Sequence, residues 1–332
     1  MRRFLLVLII LAIFLLLMVA MIAPLFIQPT PASGVSDGEQ VAEANSQFIS
    51  LPFSGTQGLS IHYRQATSPH PDAAHQFVLL HGFTFNLFTW DAVFDFFAQH
   101  GQVVSYDQVP YGLSEKLLPG SWEDINPYAK TAALDQLWTL LDHLDLEQVI
   151  LVGNSSGGTL ALEAALARPE RVQALVLIAP WVYSKRPTLP QIVVNSPQMM
   201  RLLLLAARML GTNTPLLERS YADPEQISEE RRQLALTHTR LAGWDLAWAE
   251  LLKQSLRERL DLAAQLTAIQ QPALIILGNQ DRLISLTETA QLASALPNAE
   301  LAVLPDCGHV PQEECPALVQ ALIASWLRQL EQ

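Results

Sequence analysis

Three stretches of the chain put residue types capable of chemistry where they could meet. The first is Gly153-Asn154-Ser155-Ser156-Gly157-Gly158. A serine with glycine two before and two after suits a sharp, strained turn between a strand and a helix, where a Cβ at either flank would clash. A serine hydroxyl is weak at neutral pH, so it needs a base within hydrogen-bond reach and a third group to orient that base. The second stretch, Gly278-Asn279-Gln280-Asp281, sets a carboxylate just beyond an apolar run. The third, Cys307-Gly308-His309, sets an imidazole just beyond the next. Together they imply attack of Ser155 on an acyl carbonyl, with His309 as base and Asp281 holding its ring. The tetrahedral oxyanion then needs donors that do not reorganise. The backbone N–H groups of Ser156, directly after the serine, and of Phe83, in the loop His81-Gly82-Phe83, are the candidates. This chemistry requires no metal and no organic cofactor.

Each of these residues has competitors. Seven other histidines are present: His62, His70, His75, His81, His100, His143 and His238. Only His309 lies on a loop after the last strand. His81 reads as a residue pinning its own loop. Asp306 is close to His309, but three residues away on the same loop it would struggle to face the ring nitrogen remote from the serine. Cys307 and Cys315 are too few for a disulfide framework or a zinc cage. They are compatible either with one disulfide outside the cytoplasm or with two buried thiols. Trp244 and Trp248, four apart, fit core packing on one helix face better than an acyl pocket. Asp107 reads as support for its turn.

To bring these loops together the chain must supply strands. Six short apolar runs end in turn signals: 77–80, 103–106, 149–152, 175–178, 273–277 and 301–304. Apolar runs without alternation are what strands buried on both faces look like. Helical stretches fall between them, at 128–144, from about Ser156 to Ala167, and at 316–330. Strand–helix alternation implies a mostly parallel α/β sheet flanked by helices, and such sheets carry their sites beyond the strand C-termini. Residues 46–53 and 59–64 suggest an antiparallel edge hairpin. Between Trp181 and about Leu266 the alternation stops. Helical patterns at 199–210, 227–241 and 244–260 replace it, with 192–194 as the one possible strand, which suggests a helical cap over the sheet edge. The first cap helix carries Leu and Met nearly all round, with two arginines. That is too apolar for one buried face, so part of it should line the pocket or face a membrane.

The chain of 332 residues also carries an unbroken apolar run of 20, Phe4 to Ala23. As a helix that run would span about 30 Å, the thickness of bilayer hydrocarbon. Arg2 and Arg3 precede it and no further Lys or Arg appears before Arg64. The positive-inside rule then places the N-terminus in the cytoplasm and the rest outside. The alternative is a cleaved signal peptide and a secreted product, although the run is long for one. The expected division is a transmembrane anchor at 4–27, a flexible linker at 28–46, a core at 47–180 and 265–332, and a cap at 181–264. With the apolar run removed, about 47% of the chain is apolar, which is ordinary for a globular protein. A net charge of −12 argues against a nucleic-acid partner.

The order Ser155, Asp281, His309, the G-x-S-x-G turn, Leu80-His81-Gly82-Phe83, Asp107 with Gly112-Leu113-Ser114, and Arg168-Pro169-Glu170-Arg171-Val172 resemble the α/β-hydrolase superfamily. The likeness spans roughly 47–332 and points to its serine-nucleophile group with a helical cap. Pro110 stands where that family usually has glycine. Some members place the acid after the strand matching 175–178, but residues 179–184 here hold no carboxylate. The resemblance implies a serine hydrolase; with the N-terminal apolar run and the apolar first cap helix, the expectation is a membrane-anchored serine esterase acting on a neutral, apolar acyl substrate. Gly-Asn-Ser with paired glycines is also similar to the meta-cleavage C–C bond hydrolases, and acyl transfer is a further alternative. A catalytically silent binding module would not need the three polar loops. Aspartate-nucleophile relatives are excluded by Ser155.

Overall fold

The computed structural model describes residues 2–70, 75–183, 188–258 and 261–331. Eight strands form one sheet: β1 (Gln47–Leu51), β2 (Leu59–Ala66), β3 (His75–Leu80), β4 (Gly101–Tyr106), β5 (Val149–Asn154), β6 (Val172–Ile178), β7 (Ala273–Gly278) and β8 (Ala299–Leu304). Their spatial order is β1-β2-β4-β3-β5-β6-β7-β8. β1 and β2 are the antiparallel edge, β2 meets β4 antiparallel, and every later pairing is parallel. All six expected strands and the hairpin are present, but β8, at the far edge of the sheet, is not buried on both faces: Val303 is exposed.

α1 (Arg2–Ile22) precedes the sheet, and α2 (Asp91–His100), α3 (Lys130–His143) and α4 (Ser156–Ala167) lie within its first half. The cap holds α5 (Gln191–Val194), α6 (Pro197–Asn213), α7 (Pro215–Ser220), α8 (Glu229–Ala235) and α9 (Trp244–Arg257). α10 (Leu286–Ala295), α11 (Pro311–Glu314) and α12 (Pro316–Leu330) complete the chain. Because strand side chains alternate, the sheet has two apolar faces. Leu80, Leu151, Leu177 and Ile275 pack with Leu137, Leu141 and Leu162 of α3 and α4. Phe77, Val152, Val176 and Ile276 pack on the other side with Phe97 of α2 and Ile323 and Trp326 of α12.

Three expectations change. Residues 192–194 are helical, inside α5, since a lone β-branched triplet has no free sheet edge beside it. The helical pattern at 227–241 is shorter than expected, with α8 followed by a 3-10 turn at Thr237–Arg240. The pattern at 244–260 ends as helix at Arg257, and Leu260 lies outside the described residues.

The segment 28–46, expected as a flexible linker, is strapped to the cap instead. Arg208 donates to the carbonyls of Gln28 (3.1 Å) and Thr30 (2.8 Å), and Arg201 donates to that of Ile27. Asp245, fully buried, accepts from the Ala32 N–H at 2.9 Å. Val35 pairs with Leu241 as an isolated bridge, and a Cβ on Gly34 would lie 2.4 Å from the Arg240 carbonyl. A polar composition signals exposure only when no surface elsewhere in the chain satisfies its backbone, and here the cap does. Ahead of the strap, Phe4–Phe26 is long and apolar enough to cross a membrane.

Asp107 anchors the loop after β4. Its carboxylate, fully buried, accepts from the N–H groups of Leu87 (2.8 Å) and Leu113 (2.7 Å) and from His62 Nδ1 (2.6 Å). Burial alone would raise its pKa, but His62 beside it and these donors bring it down to about 2. A folded-state pKa below the unfolded value contributes stability that is present above about pH 4 and is lost as pH falls toward 2. Asp107→Asn should therefore cost about 2–4 kcal/mol at pH 7, by stranding buried donors. Urea denaturation of both proteins at pH 7 and pH 3 checks this, and the gap between them should narrow at the lower pH.

Candidate active site

Ser155 sits between β5 and α4 with φ 54° and ψ −117°, a conformation L-residues rarely adopt. Its backbone is fixed from both sides. Its N–H donates to Ile178 O (2.9 Å), and its carbonyl accepts from Thr159 (3.2 Å) and Trp181 (3.1 Å). The glycines follow from close approach: a Cβ on Gly157 would lie 2.0 Å from Leu80 O, and one on Gly153 2.5 Å from the Gly157 backbone. Asn154 spans the site, its amide donating to Ile178 O (3.1 Å) and His309 O (3.0 Å).

His309 and Asp281 meet as their order in the chain implied. Nδ1 of His309 is 2.8 Å from Oδ2 of Asp281, and both side chains are buried. The other carboxylate oxygen accepts from the N–H groups of Leu283 (2.7 Å) and Ile284 (3.0 Å). With Nδ1 donating to the carboxylate, Nε2 keeps its lone pair. Gly278 lets the two loops touch, since a Cβ there would lie 2.2 Å from the carbonyls of Cys307 and Gly308. Asp306 instead accepts from Gln280 Nε2 (3.1 Å). His81 holds its own loop: Nδ1 donates to Gly82 O (2.8 Å) and Nε2 accepts from the Gln108 N–H (3.0 Å), so the ring is neutral, and burial lowers its pKa further.

Phe83 and Ser156 both line a cavity of about 380 Å³ between the core and α9. Ser155, Asp281 and His309 are not in that lining; Ser156, next to Ser155, is. The cavity walls include Val109, Tyr128, Leu160 and Leu252, with Trp181 also contributing. Two aromatic residues of the loop after β3 lie elsewhere: Trp90 is fully buried among α2 side chains and Phe85 packs under the cap. Trp244 and Trp248 belong to the cap core, where Trp248 stacks on His238 with centroids 4.3 Å apart. Burial, with the charge of Lys116 adding to it, lowers the His238 pKa to about 3. The charged part of the cavity wall is an ion pair, Lys130 Nζ to Glu163 Oε1 at 2.6 Å, together with Glu258.

A second layer of contacts carried no signal in residue spacing. The His309 N–H donates to Ser220 O of the cap (2.6 Å), and Glu314 accepts from Gly308 N (2.5 Å) and Ala222 N (2.6 Å). Glu313 accepts from Arg231 (2.7 and 2.9 Å) and from the Tyr221 hydroxyl (2.6 Å).

Residues 76–316 match the family model for the alpha/beta hydrolase fold. The chain belongs to that family. This hydrolase is 28% identical over 279 residues to the uncharacterized hydrolase YugF of Bacillus subtilis, covering 82% of this chain and 95% of the relative. It is 30% identical over 295 residues to the 2-hydroxy-6-oxononadienedioate/2-hydroxy-6-oxononatrienedioate hydrolase of Paraburkholderia phymatum, covering 86% and 96%. Among solved structures, a thermophilic esterase from Thermogutta terrifontis superposes with a TM-score of 0.63 at 21% identity, covering 86% of this hydrolase and 100% of the esterase.

Cys307 and Cys315 are joined by a disulfide, with Cα atoms 6.2 Å apart, which closes a short loop around His309. Closing a loop of this length should stabilise the fold by about 2–3 kcal/mol. Cys307→Ser with Cys315→Ser should lose about that much in denaturant titrations, and the intact mass of the unsubstituted protein under non-reducing conditions should lie two hydrogen atoms below that of its reduced form.

Proposed function

We propose that the protein is a membrane-anchored serine hydrolase that cleaves a neutral, apolar carboxylic ester through an acyl-enzyme. One observation carries this reading: His309 Nδ1 lies 2.8 Å from Asp281, and the strained turn of Ser155 is tied to the same histidine loop by Asn154. In this reading His309 Nε2 takes the proton of Ser155 as its oxygen attacks the acyl carbonyl. The N–H groups of Phe83 and Ser156 hold the oxyanion, and Asp281 stabilises the imidazolium. His309 returns the proton to the leaving alcohol, then activates the water that releases the acid. No cofactor enters.

The cavity wall supports an uncharged substrate. Lys130 is neutralised by Glu163, and Glu258 leaves the polar patch with a net negative charge. A dianionic dienedioate, as named for the 30% identical relative, would meet repulsion there. C–C hydrolysis of a diketone-like substrate is the second reading, favoured by that relative. Anchoring through Phe4–Phe26, with the N-terminus cytoplasmic and the hydrolase domain outside, is supported by Arg2 and Arg3 and by a disulfide suited to an oxidising compartment.

Ser155→Ala should abolish fluorophosphonate labelling and lower ester hydrolysis by ~10⁴-fold or more. Asp281→Asn should cost a comparable factor and Asp306→Asn little; the reverse order would reassign the acid. Labelling that survived in the Ser155 variant would remove the nucleophile assignment.

Across esters of graded acyl length, kcat/KM should rise by up to ~0.8 kcal/mol of transition-state binding per methylene, then fall once the cavity is filled. A series that includes a carboxylate-bearing ester and a carboxylate-bearing diketone checks this. Preference for either charged compound would favour the C–C hydrolase.

A further inference from the structure

The first cap helix is too apolar for one buried face, and the cavity does not take up the excess. Leu203, Leu204, Ala207 and Gly211 form the buried stripe of α6, packed with α9. Leu202, Leu205 and Met209, spaced three and four apart, form an outward stripe, and Met209 is 56% exposed. α5 adds Ile192, 84% exposed, and Val193. None of these five lines the cavity.

The charge pattern of this face is unlike the rest of the chain. Between Thr188 and Asn213 the only charged residues are Arg201 and Arg208, in a protein of net charge −12. The face is also fixed in position. The 3-10 turn that continues α1, Ala23–Phe26, packs on α6, and both arginines hold the carbonyls that follow it. Phe26 and Leu25 are exposed beside it. An apolar surface thus runs from the end of α1 onto the outside of the cap with no acidic residue in it.

We propose that the outer face of α5 and α6 is seated in the lipid leaflet from which α1 emerges. This rests on the anchoring reading above. Arg208 is already paired with Asp245 (2.8 Å), so the contact is carried by the aliphatic stripe, and a membrane-proximal helix with such a stripe and no acidic residue suits that boundary. The contact also bears on the site. Leu189, just before α5, donates its N–H to the carbonyl of Leu256, which lines the cavity. The leaflet face and the cavity wall are therefore joined by one hydrogen bond.

The test uses the full chain reconstituted, without reductant, into vesicles of phosphatidylcholine and phosphatidylglycerol. An NBD fluorophore is placed on Leu205→Cys and, as a control, on Leu318→Cys of α12, also exposed. At position 205 the emission should shift to the blue and be quenched by doxyl-labelled lipid several-fold more than at 318. Equal, solvent-like emission at both sites in protein that floats with the vesicles would overturn the proposal and leave the anchor standing. A blue shift at 205 without lipid quenching would mean that a second copy covers the face, and would also overturn it. Protein that fails to float would remove both readings. In parallel, Leu202→Ser/Leu205→Ser/Met209→Ser should hydrolyse a vesicle-dissolved ester about tenfold more slowly while keeping wild-type rates on a water-soluble ester. An equal rate on both substrates would count against the leaflet contact.

Discussion

The backbone of Ser155 cannot relax to an ordinary conformation without breaking the packing of β5 on α4. A residue at φ 54° and ψ −117° carries about 1–3 kcal/mol of strain and persists only when its surroundings over-determine it. Here three backbone hydrogen bonds fix it, two of them to the chain leaving β6. α4 can then lie so close to β3 that position 157 has no room for a side chain. The glycines, the short strands and the crossover helices all serve this one turn. One of the oxyanion donors proposed for the site, the Ser156 N–H, is a by-product of it, because the residue after the turn begins a helix.

The loops around that turn are held by groups unrelated to acyl chemistry. Asp107 gathers His62 of the edge strand, the loop after β3 and the loop after β4 around one buried carboxylate. Glu313 and Glu314 do the same between the His309 loop and the cap segment 220–222, with Arg231 completing the arrangement. The cap is therefore bonded into the site at the backbone of His309 itself. Burial raises the pKa of Tyr221, and the Glu313 carboxylate beside it adds to that effect, so its hydroxyl remains a donor.

What could be read from residues alone follows from which forces are local. The strands around Leu79, Val152 and Ile276 were legible because a sheet buried on both faces writes itself as unbroken apolar runs. The pairing of Asp281 with His309 was legible because loops after neighbouring parallel strands must meet at one edge. The Arg231–Glu313 tie was not legible, since residues 82 apart carry no period. The strap was misread because its polar composition is also that of a linker, and the partner that orders it, Asp245, is just one more acid on a cap helix. The outward stripe of α6 was visible as excess apolarity, but its direction needed the cavity lining to be known.

The strap also sets an order of events during synthesis. The cap partners of the strap, from Arg201 to Asp245, lie 174 to 213 residues after the groups they hold, so the first segment made after the apolar helix has no partner in the cap until about three fifths of the chain exists. Until then its backbone is satisfied by water alone, and the buried carboxylate it will cover has not been made. The sheet up to β6 depends on neither group and can assemble first. Docking of the strap is thus a late, long-range closure that joins the two ends of the folding history. A nascent chain halted before α6 would carry most of a finished sheet and an amino-terminal arm still searching for its seat.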